Sequence, residues 1–242
     1  MIAILAPTAR SKVYLQVFKE AGLQFDKILV LSPSLLGDEI GSSPKTKYQL
    51  DNLFGEINVA FDFSVSIDEL AETCANTVFK VQSRSVNSPT VEHYLRDIDE
   101  EAFIVYSGQP GEIVSGEILT ASKAQWLHAH GGLLPHYRGS TCCYYSMLAL
   151  GGIGVSVIQL SNILDSGKLM ESGFVKIERL PSLFEMDFVL DNFARASMLL
   201  KVLTGFSPIT FEPFTLTGPS RMYYVAHPYI RLAATSQKLG CL

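Results

Sequence analysis

Two histidines and one aspartate are the residues in this chain whose types and spacing could do chemistry. His128 and His130 alternate in the run His128-Ala-His130-Gly-Gly-Leu133-Leu134-Pro135, which continues through His136-Tyr137 to Arg138-Gly139-Ser140. Asp165 opens the turn Asp165-Ser166-Gly167, 35 positions after His130. Imidazole ionises near neutrality, so a histidine suits proton transfer at ordinary pH. A carboxylate placed beside it would fix the imidazole tautomer and stabilise its protonated form. Taken singly, each residue also has a plainer reading: a histidine on a strand is commonly structural, and an aspartate before Ser-Gly is commonly a turn former.

The surrounding elements must bring these residues together. Ile2–Ala6 is a short apolar run stopped by Pro7, a buried-strand pattern. Residues 11–21 carry Val13, Leu15, Val17 and Phe18 at helical spacing, and Lys27–Leu31 is a second strand-like run ended by Ser32-Pro33. This strand–helix–strand unit is of the parallel α/β type. Residues 68–75 read as a helix and 77–81 as a strand. Residues 90–96 read as a helix behind the start signal Ser88-Pro89, and 102–106 as a buried strand. Further on, 125–130, 154–160 and 174–177 read as strands, and 141–150 and 183–203 as helices. Residues 205–219 hold Gly205, Pro208, Pro213, Gly218 and Pro219 and read as turn and loop. The expected fold is a Rossmann-like, doubly wound, mostly parallel α/β sheet over residues 1–205. A short extension, 206–242, should fold back on it. Such sheets bind ligands beyond the carboxyl ends of their strands, so chemistry is expected in the loops after Tyr106, His130 and Leu160.

Composition narrows the function classes. The chain has 242 residues, 48% hydrophobic and 18% charged, which allows a substantial core. Its net charge of −5 argues against a protein built to grip a nucleic-acid backbone. The apolar start, Met1 to Pro7, has no basic residue and reads as a strand and not as a signal peptide. No apolar run reaches the roughly 18 residues of a membrane span. Cys74, Cys142, Cys143 and Cys241 form neither a zinc spacing nor a disulfide framework, so reduced, buried thiols in the cytoplasm are expected, with no metal. There is no Gly-x-Gly-x-x-Gly or P-loop to hold a nicotinamide or nucleoside triphosphate.

The pairing of Leu133-Leu134-Pro135-x-x-x-Gly139 with Asp165-x-Gly167 resembles the folate-dependent formyltransferases. That group includes the glycinamide ribonucleotide, methionyl-tRNA and sugar N-formyltransferases. The order of elements from Asn87-Ser88-Pro89 to Gly167 follows the same family, and coarser similarity covers about residues 1–205. Two positions depart from the pattern: His128 stands where the family has asparagine, and Gly132 where it has serine.

The resemblance implies formyl transfer from 10-formyltetrahydrofolate to a primary amine. His130 would assist proton transfers, Asp165 would orient and charge it, and His128 with nearby backbone N–H groups would hold the developing oxyanion. His128 may be read either as a working substitute for the asparagine amide or as a mark of altered or lost chemistry. The resemblance places the folate against Ile113, Val114 and Ser115 and against Leu160, Ser161, Asn162, Ile163 and Leu164. Residues Gly108–Gly111 are unusual for the family. Around Arg138, Gly139, Ser140 and Tyr144 the chain is similar to sugar formyltransferases of surface-polysaccharide biosynthesis. Arg138 could pair with a phosphate, and Tyr144 or Tyr145 could stack on a base or sugar or simply pack. The expected partner is therefore a small amine on an amino sugar or sugar nucleotide. A methionyl-tRNA enzyme would be expected to carry a basic C-terminal RNA-binding domain, for which 242 residues leave no room. Two alternatives stay open: a hydrolase that discharges formyl-folate (or a formyltransferase for another small amine), and a non-catalytic folate-binding protein. His227-Pro228 reads as structural or as an oligomer contact, and a homodimer stays open.

Overall fold

The computed structural model describes residues 1–32, 44–51, 59–96, 98, 102–214 and 218–236. Pro33, Cys241 and the end of the expected extension, 237–242, lie outside the described residues. In chain order the elements begin β1 (Ile2–Leu5), α1 (Ala9–Glu20), β2 (Lys27–Ser32), β3 (Lys47–Leu50), β4 (Val59–Asp62), α2 (Ile67–Cys74) and β5 (Val78–Gln82). They continue α3 (Pro89–Leu95), β6 (Phe103–Ser107), α4 (Gly116–Thr120), β7 (Gln125–His130), β8 (Tyr137–Gly139), α5 (Cys142–Leu150) and β9 (Gly152–Gln159). The remainder are β10 (Lys168–Lys176), a π-helical segment over Glu185–Leu190, α6 (Asp191–Thr204), β11 (Arg221–Tyr223) and α7 (Pro228–Ser236).

The chain divides into two compact units. The first comprises the described residues of Met1–Thr46, Asp62–His128 and Gln159–Lys168; the second comprises those of Lys47–Phe61, Ala129–Ile158 and Leu169–Leu242. The first unit is built on parallel strands in the order β7-β6-β1-β2-β5. Alternate residues face opposite sides of a strand. Ile2, Ile4, Leu29, Leu31, Ile104, Tyr106 and Trp126 accordingly meet Val91, Leu95 and Ile118 of α3 and α4 in one core. The intervening Ala3, Ile28, Val30, Val105 and Leu127 are buried as well, so both faces of the sheet are covered. This is the doubly wound arrangement that the apolar runs imply.

The helix starts follow from capping chemistry. Thr8 accepts from Ser11 N (3.3 Å), Ser66 and Glu69 form a reciprocal capping box, and Ser88 caps α3 with Pro89 in its first turn. At the carboxyl end of β6, Ser11 and Arg10 of α1 reach across. The Ser11 and Ser107 hydroxyls are 2.8 Å apart, and Arg10 donates to Ser107 Oγ (3.1 Å) and to the Gly108 carbonyl.

In the second unit, β9 is buried along nearly its whole length and α6 is buried on most of its surface. The expected helix over 183–203 is present, with a π-helical stretch over Glu185–Leu190 before it becomes regular at Asp191. A π turn accommodates one extra residue and so changes which side chains share a face. The segment after Gly205 is loop as expected, with one bridge between Phe174 and Glu212. The chain then returns as β11, which pairs in parallel with β8. Ser140 N donates to the Tyr223 carbonyl (2.9 Å) and Ala226 N to Thr141 Oγ1 (2.7 Å), while the Tyr137 and Tyr223 rings stack 5.0 Å apart.

The start of the π segment carries a buried charge. Glu185 is 2% exposed and accepts from Arg179 Nη1 (3.1 Å) and from Ser182 N (2.6 Å). Burial alone would raise the Glu185 carboxyl, but the Arg179 guanidinium, the Ser182 N–H and the Tyr48 hydroxyl outweigh it and hold it at about 2. Tyr48 is pushed up to about 12, by burial first and then by its hydrogen bond to Glu185. A carboxyl depressed on folding contributes stability that is present above the ordinary carboxylate range and is lost as pH falls toward 2. Glu185→Gln should therefore lower stability at neutral pH by about 1–3 kcal/mol and flatten the acid limb of the stability curve. Urea unfolding of both proteins at a series of pH values checks this; parallel acid limbs would refute it.

Candidate functional site

The parallel pairing of β6 and β7 sets two side chains next to each other at the sheet's carboxyl end. Val105 lies opposite Leu127, so Tyr106 and His128 are the next pair along. Their rings lie 6.1 Å apart, and His128 Nδ1 is 3.3 Å from the Tyr106 carbonyl. A carbonyl oxygen can only accept, so this contact places the proton on Nδ1.

His128 lines a cleft together with Tyr106, Glu112, Ile113, Val114, Leu119, Leu160, Ser161, Ile163, Leu164 and Asp165. The structure thus brings together His128 and Asp165 with six of the eight residues expected around a folate. The other two lie alongside. Ser115 caps α4 and is held by Asn87, whose Oδ1 accepts from Ser115 N (2.8 Å) and whose Nδ2 donates to the Ile113 carbonyl (2.8 Å). Asn162 lies against Gly116, where a Cβ would approach its side-chain oxygen to 3.0 Å. Ile113, Ile163 and Leu164 expose 60%, 66% and 44% of their surface, leaving apolar side chains uncovered around the cleft.

The Asp165-Ser166-Gly167 turn has a clear physical reason. Asp165 adopts φ 50, a left-handed conformation that aspartate tolerates better than most residues. Gly167 packs so closely on the end of β9 that a Cβ would fall 1.8 Å from the Gln159 carbonyl oxygen.

Tyr106, Glu112 and Leu119 are lining residues that sequence reasoning missed. Tyr106 Oη donates to Glu112 Oε2 (2.9 Å), and Glu112 Oε1 accepts from Val86 N (2.9 Å). Burial, and then the Glu112 carboxylate, push the Tyr106 phenol well above its ordinary value, so it stays a hydrogen-bond donor. The unusual Gly108 is explained by this tyrosine, since a Cβ there would lie 1.8 Å from its hydroxyl oxygen. A signal was available: Glu112 is the one charged side chain between Ala102 and Gly116.

His130 belongs to the second unit, and Asp165 to the first. His130 is 5% exposed, and its Nε2 lies 2.7 Å from the Tyr137 carbonyl. A carbonyl oxygen can only accept, so this contact places a proton on Nε2. Gly132 makes the arrangement possible. A Cβ on it would approach the Tyr137 carbonyl oxygen to 2.6 Å and His130 Nε2 to 2.8 Å. Ser156 pins the same turn, donating to the Gly132 carbonyl (2.8 Å) and accepting from Leu134 N (3.0 Å). The preceding residue is braced by α6: Arg195 donates to the Ala129 carbonyl (3.2 Å) and pairs with Asp191 (2.6 Å).

The residues expected to meet the acceptor lie in the second unit. Arg138 is half-buried, and Gly139 and Ser140 sit where β11 joins β8. Tyr144 is buried; its hydroxyl donates to Asp187 Oδ1 (2.6 Å), and the Arg231 guanidinium lies 5.3 Å above its ring. Tyr145 Oη donates to the Tyr224 carbonyl (3.1 Å). Cys74, Cys142 and Cys143 are buried thiols outside any disulfide, and burial pushes the Cys143 thiol well up, which disfavours its nucleophilic thiolate. Among the described residues no group of three or more His, Cys, Asp or Glu side chains could hold a metal ion, and no helix is long and apolar enough to cross a membrane.

No protein-family model matches the chain. Relatives and solved structures do. The chain is 32% identical over 133 residues to the methionyl-tRNA formyltransferase of Helicobacter pylori strain HPAG1, covering 54% of this chain and 42% of that one. The first three such relatives are matched over 32% to 48% of their length, so the chain spans less than half of each. The phosphoribosylglycinamide formyltransferase structure from Streptococcus pneumoniae TIGR4 superposes with a TM-score of 0.54 at 15% identity, over 84% of this chain and 97% of that one. The N-formyltransferase from Helicobacter canadensis, solved with folinic acid and dTDP-3-aminofucose, gives 0.52 at 12% identity, over 92% and 70%. The chain therefore resembles formyltransferases in sequence, and its fold is the α/β fold of those enzymes.

The space around Gly132 yields a test. Gly132→Ala, and likewise Gly132→Ser with the residue of the formyltransferase pattern, should cost about 1–3 kcal/mol through overpacking and displace His130. Chemical denaturation reads the first effect, and the His130 imidazole signals in a two-dimensional NMR spectrum read the second. Unchanged stability together with unchanged imidazole signals would show that the turn has room the geometry denies.

Proposed function

We propose that the chain is a formyltransferase that moves a one-carbon formyl group from 10-formyltetrahydrofolate to a primary amine. The observation that carries the reading is the cleft: His128 and Asp165, with the loops 112–114 and 160–164, line one cavity, as the sequence resemblance implies. The cavity suits a flat heterocycle, with apolar walls from Ile113, Val114, Leu119, Leu160, Ile163 and Leu164 and a few polar groups between them. A bound formyl-folate would supply an activated acyl carbon. The amine nitrogen bonds to the formyl carbon as the bond from that carbon to the folate nitrogen breaks; His130, held through Nε2 by the Tyr137 carbonyl, takes the amine proton and passes it to the leaving folate nitrogen. Asp165 serves the role of orienting and charging carboxylate. His128 faces the developing negative charge on the formyl oxygen.

The tautomer of His128 has a consequence for that last role. With Nδ1–H donating to the Tyr106 carbonyl, Nε2 of the neutral ring is an acceptor, and it donates only when the ring is protonated. An amide side chain donates at every pH.

For the acceptor we favour an amino sugar carried on a nucleotide. The support is the resemblance around Arg138 to Tyr144 and the fold shared with an enzyme solved with dTDP-3-aminofucose. A cytoplasmic enzyme fits these substrates.

Turnover of 10-formyltetrahydrofolate against a panel of nucleotide-linked amino sugars, followed by tetrahydrofolate release, tests the proposal. Release that requires an amino sugar supports it. Release without acceptor indicates a hydrolase, and no release refutes the transferase. His130→Ala and Asp165→Asn should each lower kcat by about 10²–10⁴ with the fold intact; near-wild-type rates in either would overturn the assignment. His128→Asn should remain active, whereas His128→Ala should fall by about 10²–10³ in kcat. Equal rates in the two variants would show that no donor is needed at position 128.

A further inference from the structure

We propose that Glu112 recognises the ring of the formyl donor, its carboxylate accepting a hydrogen bond from the exocyclic 2-amino group of the pterin. The inference rests on the formyl-folate reading of the cleft and names a chain-specific determinant within it.

A carboxylate in an apolar-walled cleft is costly unless hydrogen-bonded. Glu112 is held on both oxygens: Oε2 accepts from Tyr106 Oη (2.9 Å) and more weakly from Gln109 N (3.5 Å), and Oε1 accepts from Val86 N (2.9 Å). An ionised carboxylate offers about four lone-pair sites. Three are used, the weakest by a long contact, so Oε1 keeps capacity for one more donor. Every neighbouring partner is itself a donor. The hydroxyl of Tyr106 is kept protonated by its burial and by Glu112 itself, so Glu112 presents an acceptor and no proton. Its ligand must bring an N–H or O–H.

The group is also fixed in place. Gly108 leaves the space through which the Tyr106 hydroxyl reaches Glu112. Asn87 bonds the Ile113 carbonyl and Ser115 N, bracing the backbone that follows Glu112. A carboxylate braced from both strand ends and lining the same cleft as His128 and Asp165 is preorganised for recognition. It also sets polarity: the anionic glutamyl tail of a folate is disfavoured beside Glu112 and Asp165, so the pterin enters first. An aminopyrimidinone edge supplies the N–H donor that the remaining site requires.

Isothermal titration of the full chain with 5-formyltetrahydrofolate, and with its analogue bearing a methyl in place of the 2-amino group, tests this without any substitution. The wild type should bind the analogue at least tenfold more weakly. Glu112→Gln, with folding verified by its thermal midpoint, should bind 5-formyltetrahydrofolate about 10–100-fold more weakly and discriminate between the two ligands by less than threefold. If the wild type binds both ligands equally, or folded Glu112→Gln keeps wild-type affinity and discrimination, Glu112 is only a brace and the inference falls while the donor site stands. If the wild type binds neither ligand, the formyl-folate reading fails and this inference with it.

Discussion

The carbonyl of Tyr106 is the point on which the cleft depends. It lies one residue before the end of β6, and parallel register puts His128 of β7 beside it, close enough for Nδ1 to donate at 3.3 Å. That one contact fixes the tautomer of His128 and holds its ring beside the tyrosine. The same tyrosine sends its hydroxyl the other way, to Glu112, and so ties the loop after β6 to the strand end. Arg10 and Ser11 of α1 secure the next residues, Ser107 and Gly108. A parallel sheet gathers the carboxyl ends of its strands along one edge; here the strand backbone itself supplies the acceptor that orients a side chain lining the cleft.

Close approach explains why motif positions are glycine. At Gly108 the obstacle is the Tyr106 hydroxyl, at Gly132 the Tyr137 carbonyl and the His130 ring, and at Gly167 the end of β9. None of these glycines is needed for chemistry. Each lets a backbone or a ring come within a distance that a methyl group would block. Gly132 is the informative case. The formyltransferase pattern carries serine there, and in this chain the missing side chain is matched by a histidine nitrogen 2.7 Å from a main-chain carbonyl. The two departures from the pattern, at 128 and 132, thus flank His130 on either side.

What was legible in the sequence was what long apolar runs and capping residues encode. The strands at Ile2, Lys27, Phe103 and Gln125 and the helices behind Ser66 and Ser88 came within a residue or two of their observed bounds, because burial on both faces of a parallel sheet leaves continuous apolar runs. The resemblance carried His128, Asp165 and most of the folate-side residues into one cleft. Tyr137–Gly139 was not legible as a strand. It is three residues long, and its partner, Arg221–Tyr223, lies more than eighty positions away, so no local periodicity marks either. The π-helical stretch within the 183–203 segment escaped because apolar spacing is similar in both helix types over a turn. Glu112 escaped because motif reading looks for residues that react, and Glu112 has no reactive role in the pattern.

The two histidines, although alternate residues of one strand, are engaged through opposite nitrogens. His128 uses Nδ1 on the Tyr106 carbonyl and His130 uses Nε2 on the Tyr137 carbonyl. In each case a main-chain acceptor, which cannot be titrated, determines where the first proton sits. In the neutral ring of His128, Nε2 then accepts, and it donates only in the imidazolium. An asparagine at position 128 would present an amide donor in every protonation state. The histidine makes the donor conditional on a proton, and the backbone of Tyr106 is what imposes the condition.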